Sequence, residues 1–102
     1  MRAIVLVLFV LFGGLIAGGE GALEHGDRAY ERGDFKSAFE LFEKSCKEGN
    51  AKACFNLAVM YDKGEGVQKS KSKAIHYFQK ACDNGEMQVC VLMGVIYEDL
   101  GI

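Results

Sequence analysis

Cys46 and Cys54 are separated by seven residues, as are Cys82 and Cys90, and the second pair follows the first by 36 positions. The same offset carries Ala38, Phe42, Lys44, Val59 and Tyr61 onto Ala74, Phe78, Lys80, Val95 and Tyr97. Identity at one offset across several residue types marks an internal repeat, and a period of about 34–40 residues suggests stacked α-helical units. Such arrays bury a continuous core between neighbours and offer a long curved face to other molecules. The repeat therefore tilts the reading towards interaction and away from catalysis.

Residues 1–19 are read as a secretory signal peptide. Arg2 supplies a short positive start, Ala3 to Ile16 is apolar apart from Gly13 and Gly14, and Ala17-Gly18-Gly19 provides small residues before Glu20. The apolar run falls short of the ~20 residues that span a bilayer. A secreted or periplasmic location follows, with no membrane attachment once the segment is cleaved. What remains, 20–102, is one small domain. Of the 12 Lys and Arg only Arg2 lies in the leader, so the rest stand against 14 Asp and Glu as a small acidic excess. The charges alternate in sign, leaving no basic stripe for nucleic acid.

All four cysteines lie in the exported part, and an even number in a small exported domain suggests a disulfide framework. Three pairings exist. Joining Cys46 to Cys82 and Cys54 to Cys90 links equivalent points of stacked repeats, ~10 Å apart and beyond disulfide reach. Joining Cys54 to Cys82 forces Cys46 to reach Cys90 across the whole array. Joining Cys46 to Cys54 and Cys82 to Cys90 gives each unit one short staple between the end of one helix and the start of the next, and is the expected pairing. No Cys-x-x-Cys pair exists to form a zinc knuckle. Neither a metal nor a cofactor is expected.

Glycine and asparagine punctuate the chain, which has no proline. The apolar spacing predicts helices over 21–32, 35–48, 51–63, 71–83 and 86–99. Asp34 and Ser70 are expected as N-caps. The expected inward residues are Phe35, Ala38, Phe39, Leu41 and Phe42 on the second helix; Cys54, Leu57, Ala58 and Tyr61 on the third; Ala74, Tyr77, Phe78 and Ala81 on the fourth; and Val89, Val91, Leu92, Val95 and Ile96 on the fifth. The fold class is all-α, a short right-handed solenoid of antiparallel helix pairs stapled by disulfides.

Leu57-Ala58-x-x-Tyr61-x-x-Gly64-x-Gly66-Val67, followed by Ala74-x-x-Tyr77-Phe78-x-Lys80-Ala81-Cys82-x-x-Gly85, resembles one full Sel-like repeat, a relative of the tetratricopeptide repeat. In that motif Gly64 and Gly66 turn the hairpin with positive φ and Val67 plugs back into its core. Gly26, Ala38, Phe42 and Ser45 resemble tetratricopeptide spacing with a shorter connection. The domain is thus divided into a tetratricopeptide-like capping unit (20–50), a full Sel-like repeat (51–85) and a partial repeat (86–102). With the cysteine spacing and the leader, the chain resembles the Helicobacter cysteine-rich protein family, whose members are exported Sel-like solenoids with one disulfide per repeat. One period after Tyr61-Asp62-Lys63-Gly64-Glu65-Gly66 stands Tyr97-Glu98-Asp99-Leu100-Gly101-Ile102, so the pattern ends at two and a half helical pairs. Val91, Leu92, Val95, Ile96 and Leu100 then either form an uncovered apolar surface suited to a partner or to self-association, or are hidden by a pivot of the fifth helix.

That resemblance also implies β-lactam binding or hydrolysis. Ser70-x-x-Lys73 formally matches one serine β-lactamase element, but Ser-Asp-Asn and Lys-Thr-Gly do not occur. His25 and His76 have no spaced partners for a metal-dependent site. No catalytic residue is assigned. The expected function is capture of a protein or peptide in a concave groove, with a weak β-lactam-binding or hydrolysing protein as the alternative. In arrays of this kind the first helix of each pair lines the groove. Asn56 and Met60 on the third helix, and their equivalents Leu92 and Ile96 on the fifth, are the expected groove residues, the groove turning apolar towards the C-terminus. The carboxamide of Asn56 can both donate to and accept from a peptide backbone.

Overall fold

A computed structural model describes residues 21–99, and among them the chain forms five α-helices and no strand: α1 (Ala22–Glu31), α2 (Phe35–Lys47), α3 (Ala51–Lys63), α4 (Lys71–Asp83) and α5 (Met87–Asp99). The leader proposed for 1–19 and Leu100 lie outside the described residues, as do the side chains of Ile96, Tyr97 and Asp99. Each helix packs chiefly on its sequence neighbours, α1 on α2, α2 on α3, α3 on α4 and α4 on α5, which is the contact order of a solenoid. None of the described helices is long and apolar enough to cross a membrane.

Side-chain caps start three of the helices. Asp34 accepts from Ser37 N–H at 3.3 Å, Asn50 from Ala53 N–H at 2.9 Å, and Ser70 from Lys73 N–H at 3.2 Å. Each satisfies one backbone donor left orphaned in the first helical turn. Asp34 and Ser70 were legible as caps. Asn50 does a third job of the same kind within the Gly49-Asn50 turn.

Phe42, Leu57, Met60 and Cys54 are the largest fully buried side chains, joined by Ala29, Ala38, Ala53, Ala58, Ala74 and Ala81. Small residues where helices cross let the axes approach, and Gly26 of α1 is one such point. A Cβ there would sit 2.7 and 2.8 Å from Phe42 ring carbons. Around this core Phe39 meets Tyr61 edge-on with ring centres 5.5 Å apart, and Tyr61 stacks on Tyr77 at 5.6 Å. These rings tie α2, α3 and α4 into one unit. The inward faces expected for α2, α3 and α4 are the ones observed, Phe35, Phe39, Leu41 and Tyr77 being partly buried against the core.

The two disulfides are Cys46–Cys54 and Cys82–Cys90, with Cα–Cα distances of 4.7 and 4.9 Å. Each joins the end of one helix to the first turn of the next, as the repeat geometry required. The first bridge is buried in the core, whereas Cys82 and Cys90 are half-buried.

The Gly64–Ser70 connection locks the second unit to the first. Gly64 and Gly66 both have φ of +74°, and Val67 packs back on the core. Gly66 lies so close to the start of α2 that a Cβ would stand 2.7 Å from the Phe35 carbonyl oxygen. Beside it the Tyr30 hydroxyl donates to Glu65 Oε1 at 2.7 Å, and the Tyr30 ring rests against Phe35 at 5.0 Å. That hydrogen bond, with some burial, pushes the Tyr30 hydroxyl pKa up.

On α5 the expected inward set needs correction. Val89 is buried, but Met93 is its core companion, while Val91, Leu92 and Val95 are 71, 39 and 51 % exposed. The repeat register explains the difference. Val89 and Met93 hold the places of Ala53 and Leu57, which face the preceding helices. Val91 holds the place of Phe55, whose ring meets Phe78 of the helix that follows α3, and no described helix follows α5 to cover Val91 in the same way. Met87, Val91, Leu92 and Val95 thus form an uncovered apolar surface, the first of the two outcomes left open above.

Candidate binding groove

The first helices of the successive pairs, α1, α3 and α5, line two adjoining open cavities. The first, of about 260 Å³, is bounded by Asp27, Tyr30 and Glu31 of α1, Phe42 of α2, and Phe55, Asn56 and Val59 of α3. The second, of about 430 Å³, lies between α3 and α5, with Lys52, Phe55 and Asn56 on one side and Glu86, Gln88, Val89 and Leu92 on the other. Phe55 and Asn56 belong to both, so the two cavities form one trough crossing three helices.

Asn56 occupies the middle of that trough, half-buried, where its Nδ2 donates to Asp27 Oδ1 at 3.3 Å. Leu92 lines the second cavity. Met60 does not face the trough at all: it is fully buried. The physical reason is the position of α3, which packs against both α2 and α4. Two contacting neighbours bury a wider arc of the helix, Ala53, Cys54, Leu57, Ala58, Met60 and Tyr61, than the four-residue stripe read from spacing. Lys52, Asn56 and Val59 remain on the open side. Ile96, the repeat equivalent of Met60, has its side chain outside the described residues.

Spacing missed Asp27, Tyr30 and Glu31, and the aromatic floor made by Phe55. The 36-residue offset does not extend into α1, because the Arg32–Asp34 connection is shorter than Gly64–Ser70. An i, i+3, i+4 set on α1 facing away from Gly26 and Ala29 was the signal available. The electrostatics of this end are uneven. Partial burial pushes the Asp27 carboxyl above its ordinary pKa, Lys52 opposes the shift, and Glu24 and Glu31 add to it. Among the described residues the only ion pair within 4 Å is Lys71–Asp62, so neither Asp27, Glu31 nor Glu86 is matched by a cation at contact distance.

The Ser70-x-x-Lys73 element is arranged as a helix start. Ser70 Oγ accepts the Lys73 backbone N–H and lies 3.3 Å from Ser72 Oγ. Lys71 Nζ reaches Asp62 at 3.3 Å, and Lys73 Nζ lies 5.6 Å from the Tyr61 ring centre. Both lysine ammonium groups are thus engaged away from the Ser70 hydroxyl. Replacing Ser70 with Ala should cost about 1 kcal/mol of stability, the ordinary worth of an N-cap. Urea unfolding checks this, and a change below about 0.3 kcal/mol would deny Ser70 its capping role.

A helical array whose paired helices repeat every 36 residues, with a Gly-x-Gly-Val hairpin turn and one staple per unit, defines a helical-repeat interaction module. The Sel1 repeat model matches residues 19–50 and 51–86, more than half of the chain, and the chain belongs to the Sel1 repeat family. The first unit is included in that match despite its short connection. Over 48 residues the chain is 42 % identical to a Helicobacter pylori strain J99 protein named "Putative beta-lactamase HcpC", covering 47 % of this chain and 17 % of that one. Over 72 residues it is 35 % identical to "Putative beta-lactamase HcpD" of the same strain, covering 67 % of this chain and 24 % of that one. It is also 42 % identical over 59 residues to "Cytochrome c oxidase assembly factor 7" of Danio rerio, covering 56 % of this chain and 26 % of that one. The chain thus spans about a quarter or less of the length of these relatives.

Proposed function

We propose that this chain is an exported, disulfide-stapled Sel1-repeat module that captures an extended segment of a protein partner in the concave trough along α1, α3 and α5. The observation that carries the reading is the adjacency of the two cavities, which share Phe55 and Asn56 as lining residues. Sel1 repeats generally mediate protein–protein contact, and a trough crossing successive helices matches an extended peptide better than a compact small molecule. Two disulfides among the described residues, and similarity to Helicobacter cysteine-rich proteins, support an oxidising compartment, periplasmic or extracellular. The arrangement of Ser70 offers the β-lactamase name of those relatives no activated nucleophile, so peptide capture is the reading we adopt.

Capture from an envelope extract by the oxidised protein tests it. Asn56→Ala combined with Leu92→Ala should weaken capture about tenfold or more, the usual effect of removing central contact residues. Helicity and melting temperature should hold, because neither side chain belongs to the core. Capture that survives this change but is lost on altering the outer faces of α2 and α4 would move the contact surface off the trough.

A further inference from the structure

We infer that the trough selects, within an extended peptide, a lysine or arginine at its α1 end and an aliphatic or aromatic residue at its α5 end. The inference rests on the capture reading above and adds the chemistry of the partner. The trough is two unlike cavities in series. The α1–α3 cavity combines the Asp27 and Glu31 carboxylates and the Tyr30 ring with an apolar floor of Phe42, Phe55 and Val59. The α3–α5 cavity presents Val89, Leu92 and Phe55, with Asn56 and Gln88 as neutral polar groups and a balanced pair of charges, Glu86 and the exposed Lys52, where the α1–α3 cavity has two carboxylates and no cation.

Charge complementarity decides which side chain suits which cavity. Asp27 is partly desolvated and receives a single hydrogen bond, from the Asn56 amide, at the long distance of 3.3 Å. Lys52 offsets part of this, but Glu24, one turn earlier, and Glu31 add negative charge, and among the described residues Glu24 Oε2 is buried without a hydrogen-bond partner. An acidic side chain entering here would add to this repulsion, and an apolar one would desolvate the carboxylates without compensation. An ammonium or guanidinium would relieve both, while its methylene stem would cover Phe55 and Val59. The α3–α5 cavity, with Val89 and Leu92, gains from the burial of an apolar side chain.

Successive first helices, bridged by the side chains of the trough, lie roughly 10 Å apart, about three residues of extended chain. Side chains alternate along such a chain, so a spacing of two or four residues puts both anchors on the trough side. Asn56, between the cavities, then faces the intervening peptide unit.

A positional-scanning hexapeptide library incubated with the oxidised protein provides the test. Retained peptides should be enriched in Lys or Arg at one position and in Leu, Ile or Phe two or four positions away. One enriched sequence, fluorescein-labelled, should bind about tenfold more weakly when its basic residue becomes Glu. Against the double variant Asp27→Asn with Glu31→Gln, the Lys-to-Glu discrimination should fall to about twofold or less, while the preference for the apolar anchor persists. Leu92→Ala should do the converse. Enrichment without a basic preference, or a preference unaltered in the Asp27/Glu31 variant, would overturn the inference and leave peptide capture standing. No enrichment at all, from protein with native helicity and both disulfides, would overturn both.

Discussion

Removing both disulfides should lower the melting temperature by roughly 20 °C or more and leave the domain close to its unfolding threshold. Each bridge closes a short loop between residues eight apart in sequence, worth ~2–3 kcal/mol in the chain-entropy account. A domain of this size holds only about 5–10 kcal/mol in total, and each kcal/mol moves its melting temperature by about 4–8 °C. The two bridges differ in burial. Replacing Cys46 and Cys54 with Ala also removes buried sulfur from the core, so it should cost more than the same change at Cys82 and Cys90. The half-buried 82–90 bridge should in turn be the first to open under a mild reductant. Circular dichroism melts of the two double variants, with peptide mapping of the untreated protein, check this. Shifts below about 3 °C for each variant would refute the entropic account. A 54–82 linkage in the map would refute the pairing.

The second large effect is expected at Gly66. An alanine there must hold φ near +74°, a left-handed conformation that costs an L-residue roughly 1–2 kcal/mol. Its Cβ must also stand 2.7 Å from the Phe35 carbonyl oxygen, a backbone atom at the start of α2 that cannot swing aside. Relieving that clash means lifting the Gly64–Ser70 connection off the first unit, at the further cost of the Tyr30–Glu65 hydrogen bond. A total of about 3 kcal/mol is expected from strain plus overpacking. Gly64 is the internal control, because it has the same φ but its added Cβ would meet Lys69 alone, with Cβ at 3.3 Å and the backbone at 3.5 Å or more. Urea midpoints should therefore place Gly66→Ala about 1–2 kcal/mol below Gly64→Ala. Equal losses would mean that the contact with Phe35 constrains nothing.

The sequence by itself determined the architecture of this protein. The 36-residue offset, the glycine and asparagine punctuation and the three-and-four spacing of apolar residues placed all five helices to within about a residue at each end. Those signals are local, because a helix start needs only its cap and a helix face only its own period. The disulfide pairing was legible for a related reason, since repeat symmetry turned a question of tertiary contact into one of distance along a single turn.

Tertiary structure decided which side of each helix faces what. On α5 apolar residues stand on every side, so no stripe singles out the core, and only contact with α4 makes Met93 inner and Val91 outer. On α3 the spacing gave a four-residue stripe, but packing against both α2 and α4 widened the buried arc until it took in Met60. Asp27, Tyr30 and Glu31 became trough residues because the turn after α1 brings that helix beside Asn56, 29 positions further along the chain. Helix spacing along a chain is written in local periodicity. The burial of any one side chain depends on how many neighbouring helices share its surface, and the packed array alone settles that.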